Sequence, residues 1–295
     1  LDELFRVTPP TALLFDAPFL FHAAKVLLAT NGFAANRALV AEFCPEIAEA
    51  EYFGAPGSTG EAIQWGRNLG AALGNMAAYQ GYAAVAYPQG QLLSWTTIEK
   101  GGILVGADGQ RFGNEDDGYS GFAPQVMAQG EFAWAVYDER IHLVAMAEEE
   151  YAEMSGMGAI RWADTVAELA ASAGLDPESL TATVEAYNRA AAGDAPDAFG
   201  RSAFALAPLQ APFALAKVKP GLFHTQGGLL VDEHARVRAG GGGIIPNLFA
   251  GGGAAAGISG RSGAAGYASG NGLITALVLG RRAGLRAVAE TRGPA

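Results

Sequence analysis

Hydrophobic positions along this chain come in short runs separated by glycine-rich breaks. In AAKVLLATNGF (23–33) the unbroken apolar run Val26–Ala29 predicts a buried strand, and Asn31-Gly32 suits a turn of positive φ. AANRALVAEFCPEI then predicts a short helix. A buried strand passing through a turn into a helix is the unit of a doubly wound sheet, with ligand at the strand's carboxyl end. It is equally an ordinary strand–turn–helix.

In GSTGEAIQWGRNLGAALGNM (57–76), Ala62, Trp65, Leu69 and Leu73 share one face, predicting a helix that opens at a Ser-Thr-Gly turn. Such an opening is a capped helix start or a site for an anion. Ile103–Val105 predicts a strand, Asp108-Gly109 a hairpin turn and Arg111-Phe112 its return. The polar stretch Asn114–Asp117 reads as a solvated loop, and no histidine nearby supports a metal site. Residues 162–189 are expected to be helical, broken near Gly174 and restarted at Asp176-Pro177 with Leu180, Val184 and Tyr187 inward. Beyond a proline-marked extended segment, HTQGGLLVDEHARV (224–237) predicts a strand at Leu229–Val231 with Val237 on its partner. PNLFAGGGAAAG (246–257) reads as a strand opening into glycine. SGNGLITALVLGRRAGLRAVAE (269–290) reads as an amphipathic helix with Arg281, Arg282 and Arg286 toward its C-terminal end.

Elements of nucleotide-domain type therefore lie at the two ends of the 295-residue chain, around a different middle. The net charge of −11 argues against a nucleic-acid partner, which needs a basic footprint. Cys44 is the only cysteine, so neither an internal disulfide nor a cysteine-built metal cluster can form. No apolar run has membrane length and no signal-peptide pattern is visible, so a cytoplasmic chain without a membrane partner is expected. The 41 glycines cluster without a fixed period, which suggests places where backbone approaches something closely.

Taken in order, AKVLLATNGF, STGEAIQWGRNLGAAL, GGILVGADGQRFGNE, LDPESLTATVEAYN with DAFGR, HTQGGL, and PNLFAGGGAAAGISG with GYASGNGL resemble one flavoprotein family. It contains the soluble fumarate reductases, succinate dehydrogenase flavoprotein subunits and 3-ketosteroid dehydrogenases. The resemblance implies an α/β fold, an FAD-binding Rossmann-like domain interrupted by an α+β capping domain. The expected divisions are 1–53 and 219–295 for the FAD-binding domain and 54–218 for the cap. It implies FAD as cofactor and a small-molecule substrate, an unsaturated acid or a ketone. A carbon–carbon bond next to a carboxylate or carbonyl would be reduced or desaturated, with an electron donor or acceptor that the sequence does not name.

The same resemblance nominates residues. Ala29, Thr30, Asn31 and Gly32 match the segment beside FAD, with Asn31 where the family usually has glycine. Thr59, Gly60 and Glu61 match a Thr-Gly-Asp-Gly element, with Glu61 for the aspartate and Ala62 for the second glycine. Gly252 and Gly253 match a Gly-Glu pair, so Gly253 lacks that glutamate's contact with the cofactor. Ser269, Gly270, Asn271, Gly272 and Leu273 match a helix start that faces the flavin. His224 corresponds to a histidine that binds a substrate carboxylate; on spacing alone it is equally a strand entry. Arg261 is placed to clamp a carboxylate and Tyr267 to orient substrate, while Glu115 and Tyr119 would handle a proton.

Two departures accompany the resemblance. No Gly-x-Gly-x-x-Gly strand–helix unit precedes Ala23, so the phosphate cradle is expected from another chain or a truncated part, or FAD is held weakly. The apolar segment TALLFDAPFLFHAAK would then face a space that its usual neighbour fills. After Glu115 comes DDGYSG rather than arginine, which moves proton handling to Tyr119 and toward ketosteroid dehydrogenase chemistry. A folded, non-catalytic fragment or one half of a split flavoprotein is the competing expectation.

Overall fold

The computed structural model describes residues 23–264 and 267–292. Most of the apolar segment TALLFDAPFLFHAAK, and Ala265-Gly266 between Arg261 and Tyr267, lie outside the described residues. Numbered along the chain, the strands are β1 (Val26–Leu28), β2 (Glu51–Tyr52), β3 (Leu73–Gly74), β4 (Ala77–Ala86), β5 (Ile103–Val105), β6 (Ala133–Asp138), β7 (Ile160–Ala163), β8 (Phe213–Thr225), β9 (Gly228–Leu229), β10 (Arg236–Arg238), β11 (Ile244–Ala250) and β12 (Ser262–Gly263). The α-helices are α1 (Arg37–Phe43), α2 (Glu61–Asn68), α3 (Thr96–Glu99), α4 (Gly118–Gly121), α5 (Ala123–Ala128), α6 (Glu139–Ala145), α7 (Glu149–Gly156), α8 (Val166–Ala173), α9 (Pro177–Ala191) and α10 (Asn271–Arg292). The chain divides into two compact units. Among the described residues, unit 1 holds 23–48, 54–79, 224–264 and 267–292; unit 2 holds Glu49–Phe53 and Gln80–Phe223.

Unit 1 is built on a three-stranded sheet in the order β1-β11-β10. β1 pairs with β11 in parallel, Val26 opposite Leu248 and Leu28 opposite Ala250, and β10 runs antiparallel on the other side. Leu28, Ala62, Leu229, Val237, Leu248 and Ala250 form the buried cluster beneath it, with Trp65 and Leu69 packed against them. The sequence pattern places the start of the inserted domain at 54, whereas 54–79 falls in unit 1. The physical reason is α2, whose Ala62 is wholly buried in that cluster. The predicted helix over 57–76 is also shorter. It ends at Asn68, Gly70 turns the chain at φ +75°, and Leu73-Gly74 becomes β3 on the backbone of β9. α10 packs through Leu279, Ala283 and Ala287 on Phe249 and Ala235. It is less cleanly two-faced than the sequence suggests: Leu273, Ile274, Leu277, Val278, Leu285 and Val288 are exposed.

Unit 2 is centred on an antiparallel sheet in which β8 pairs with β6 along its first half and β6 with β5. β7 also pairs antiparallel with β8, so Trp162, expected at a helix start, lies on a strand opposite Ala214. β2 adds in parallel at Gly221 and Leu222. The expected return strand at Arg111-Phe112 reduces to one bridge between Val105 and Arg111, after a turn with Gly109 at φ +75°. α8 ends at Gly174, φ +74°, and Asp176 caps α9 by accepting from the Glu178 amide at 3.2 Å. Leu180, Val184 and Tyr187 face inward as the sequence predicts.

Gly228 sets the closest backbone approach in unit 1. A Cβ there would sit 2.4 Å from the Ala255 carbonyl carbon and 2.7 Å from the Ala256 nitrogen. Gly228→Ala should therefore lower the unfolding free energy by about 1–3 kcal/mol, read as a shifted urea midpoint. Gly57→Ala, which meets nothing within 4 Å, should change it by less than about 0.5 kcal/mol.

Candidate functional site

In unit 1 four loops meet at the carboxyl ends of β1 and β11. The turn after β1 packs directly on the end of β8, because a Cβ on Gly32 would lie 2.5 Å from Thr225 Oγ1. That hydroxyl accepts from the Phe33 amide at 2.9 Å. Gly253 closes the other side: its Cβ would meet Asn31 Oδ1 at 2.4 Å, the Gly32 nitrogen at 2.8 Å and His224 Nε2 at 3.0 Å. Asn31 takes the left-handed conformation, φ 67°, which its short polar side chain tolerates.

Those contacts bring together Asn31, Gly32, Gly253 and His224, four residues nominated from the sequence, and add two that were not nominated, Ser58 and Gln226. Asn31 donates to Ser58 Oγ at 2.8 Å, which turns its Oδ1 toward His224 Nε2 at 3.2 Å. Gln226 Nε2 lies 3.2 Å from His224 Nδ1. An amide N–H donating to Nδ1 leaves the proton on Nε2, where it is donated to Asn31. One uncharged tautomer therefore satisfies both contacts. Burial pushes the His224 pKa below its ordinary value in the same direction. The available sequence signal for Gln226 was its i, i+2 spacing from His224 at a strand end, which places both on one side.

The other nominated residues differ in setting. Gly60 stands left-handed, φ +85°, against Phe33 and Leu39, and starts α2. Glu61 follows, accepting from Thr59 Oγ1 on one carboxylate oxygen. Gly252 contacts Ala276 of α10, which brings that helix beside the 252–254 turn. Gly270 precedes α10 at φ +83°, Ser269 and Leu273 are exposed, and Asn271 is buried. Ala29 is exposed at the end of β1. Arg261 is exposed and Tyr267 half-buried.

Five of the six buried side-chain atoms without a hydrogen-bond partner among the described residues lie in unit 1: Thr30 Oγ1, Glu61 Oε2, Ser259 Oγ, and Oδ1 and Nδ2 of Asn271. Buried polar groups are rarely left unsatisfied, so each of these atoms calls for a partner, an ordered water or a polar ligand. Three of those four residues are cofactor-side residues of the sequence reading. The observation fits a bound FAD that meets Thr30, Glu61 and Asn271.

Unit 2 holds Glu115 and Tyr119. Glu115 is buried under Arg111, which reaches it through Nε at 3.0 Å and Nη2 at 2.5 Å, and it accepts from the Leu104 amide at 3.2 Å. Arg111 also pairs with Asp197 at 2.5 Å, and Arg201 Nη1 stands 3.5 Å from Glu115. Tyr119 instead lines a cavity of about 320 Å³. Cys44, the lone cysteine, is buried and its thiol is pushed up to about 12 by burial and then by Glu46, which removes it as a nucleophile.

The comparisons with known proteins follow the same lines. A family model described as FAD binding domain matches residues 16–273. The chain belongs to this FAD-binding family. A probable fumarate reductase of Shewanella frigidimarina is 30% identical over 269 residues, 90% of this chain and 44% of that protein. The open conformation of a flavocytochrome c3 fumarate reductase superposes with a TM-score of 0.70 at 26% identity, over 92% of this chain and 47% of that one. A 3-ketosteroid-Δ4-(5α)-dehydrogenase from Rhodococcus jostii, solved with 4-androstene-3,17-dione, gives 0.66 at 30% identity, over 90% and 53%. The chain thus spans about half the length of the relatives it matches. The family makes FAD the cofactor, on an α/β fold. Among the described residues no helix is long and apolar enough to cross a membrane.

A histidine whose folded pKa lies below its unfolded value of about 6.5 binds fewer protons than the unfolded chain, so stability should fall as pH drops from 7 toward 5. Gln226→Glu places a carboxylate beside the ring and should raise the His224 pKa above that of the wild type, measured by NMR titration of labelled histidine. In unit 2, Glu115→Gln strips the charge that Arg111 and Arg201 share and should destabilise the protein by about 3–5 kcal/mol in denaturant titration.

Proposed function

We propose that the chain is the catalytic part, or a portion of it, of an FAD-dependent oxidoreductase that reduces or desaturates a carbon–carbon bond next to a carboxylate or carbonyl. The observation that supports the reading is the set of unpartnered buried polar atoms on Thr30, Glu61 and Asn271, three residues that the sequence resemblance assigns to the cofactor, in a chain of the FAD-binding family. When bound, FAD supplies the two-electron hydride chemistry.

The chain's own residues do the rest. Asn31 and Gln226 fix His224 as a neutral ring whose single N–H, on Nε2, is donated to Asn31, so a substrate oxygen takes that hydrogen bond by displacing Asn31 Oδ1 and meets no full charge. α10 passes the 252–254 turn at Ala276, its N-terminal end carries the positive end of the helix dipole, and Asn271 in that first turn brings an unpartnered amide donor and acceptor. Arg261, exposed, supplies the permanent positive charge that a carboxylate needs, and Tyr267 orients the substrate. Tyr119 gives or takes the proton through its hydroxyl. Glu115, held on both oxygens by arginine, serves as an anchor of unit 2 rather than as a proton carrier.

The deciding experiment is a flavin-quenching titration of the purified chain, with its visible spectrum recorded alongside. Expected is saturable quenching of added FAD at one equivalent, weakened about tenfold or more by Asn271→Leu or Thr30→Val. A colourless protein that leaves FAD fluorescence unchanged overturns the reading.

A further inference from the structure

The cavity in unit 2 has a chemical character of its own. Its walls carry five aromatic rings, from Tyr82, Trp95, Tyr119, Tyr151 and Phe223. Two of the tyrosines have spent their hydroxyls elsewhere. Tyr82 donates to the Leu93 carbonyl and accepts from the Trp95 amide, both at 3.0 Å, and Tyr151 donates to Tyr137 at 3.0 Å. What those two rings offer the cavity is carbon and π-electron density. Tyr82 also packs on Tyr119 and Phe223 with centroids 5.1 and 5.4 Å apart, so the wall is continuous.

Three glutamates stand in the same lining, Glu99, Glu148 and Glu150, with no lysine, arginine or histidine among the described residues there. Glu148 accepts from Ser94 Oγ at 2.8 Å and Thr96 Oγ1 at 2.6 Å, both neutral donors that hold the carboxylate in place without cancelling its charge. Among the described residues none of the three takes part in an ion pair. Aromatic faces and uncompensated carboxylates attract the same kind of ligand, because a ring's quadrupole presents negative charge at its face. They repel a dicarboxylate.

We propose that this cavity binds an amphipathic organic cation, an amine or quaternary ammonium group on an apolar body, and excludes diacids. The apolar body lies on the rings and the positive end meets Glu148 and Glu150. Tyr119 lines the cavity, so on the oxidoreductase reading the ligand is that enzyme's substrate, and in this respect the inference rests on that reading. Binding itself is read without flavin turnover.

The test is a tryptophan-fluorescence titration of the full chain with benzyltrimethylammonium, its carbon isostere neopentylbenzene, and fumarate. Expected is at least tenfold tighter binding of the ammonium than of the isostere, weakened by added salt, with no competition from fumarate. Glu148→Gln with Glu150→Gln should lose about tenfold in ammonium affinity and leave the isostere unchanged. Glu150 is exposed, so Glu150→Lys keeps the fold and should weaken the ammonium further. Equal affinity for the two isosteres, displacement by fumarate, or an unchanged Glu150→Lys variant overturns the proposal. The flavin spectrum of the same sample reports separately: ammonium binding by a protein that takes no FAD leaves this site standing and removes the oxidoreductase reading.

Discussion

The hydrogen bond from the Phe33 amide to the Thr225 hydroxyl, 2.9 Å, ties the exit of β1 to the end of β8, and unit 1 depends on it. It forms only because Gly32 has no side chain at a point where a Cβ would lie 2.5 Å from that hydroxyl. With this contact made, Asn31 projects toward His224, and Gly253 must also be bare, since the space that its side chain would fill holds Asn31 Oδ1. Two glycines and one threonine thus decide where an asparagine and a histidine meet. The polar geometry of the site is a consequence of close backbone packing, which is the usual reason for glycine beside a ligand.

Unit 2 is organised by charge as well as by its sheet. Arg111, Glu115, Asp197 and Arg201 form a buried cluster, with Arg201 also donating to the Gly102 and Ile98 carbonyls at 2.7 and 2.6 Å. Arg111 and Arg201 lie over the ring of Tyr187, which donates to the Gly101 carbonyl at 2.9 Å. Buried charges persist only when paired and hydrogen-bonded, and here each cation has a carboxylate, and Arg201 main-chain acceptors besides. The network links α9, the strand β5 and the segment around Arg201. Its members were visible in the sequence as DGQRFGNE and DAFGR, but their mutual pairing was not, because 86 positions separate Arg111 from Asp197.

What the sequence made legible was local. Val26–Ala29, Gly174, Asp176-Pro177 and the start of α10 carry their own signals in apolar runs, caps and turn residues, and the structure places elements there within a residue or two. What it hid was long-range. The helical face of 57–76 continues past Asn68 in the pattern, yet Leu73-Gly74 is taken by β9, a strand more than 150 positions away. Trp162 lies on a strand for the same reason, since β8 offers it a partner. His224 was legible as a candidate through its motif, whereas its clamp between Asn31 and Gln226 needed the fold to bring 31 and 224 together.

The electrostatic character of the two units bears on substrate chemistry. In unit 1, the His224 ring is kept neutral by burial and by its amide partners, so the histidine nominated for a carboxylate contributes a dipole and not a charge. The permanent cation nominated there is Arg261, whose guanidinium is exposed and strongly screened. In unit 2, the arginines at Glu115, Arg111 and Arg201, are committed to Glu115 and Asp197, and the cavity at Tyr119 has glutamate in its lining. Among the described residues, the nominated groups of unit 1 therefore comprise one exposed cation, Arg261, and one neutral ring, His224, while in unit 2 Tyr119 shares its cavity lining with carboxylates.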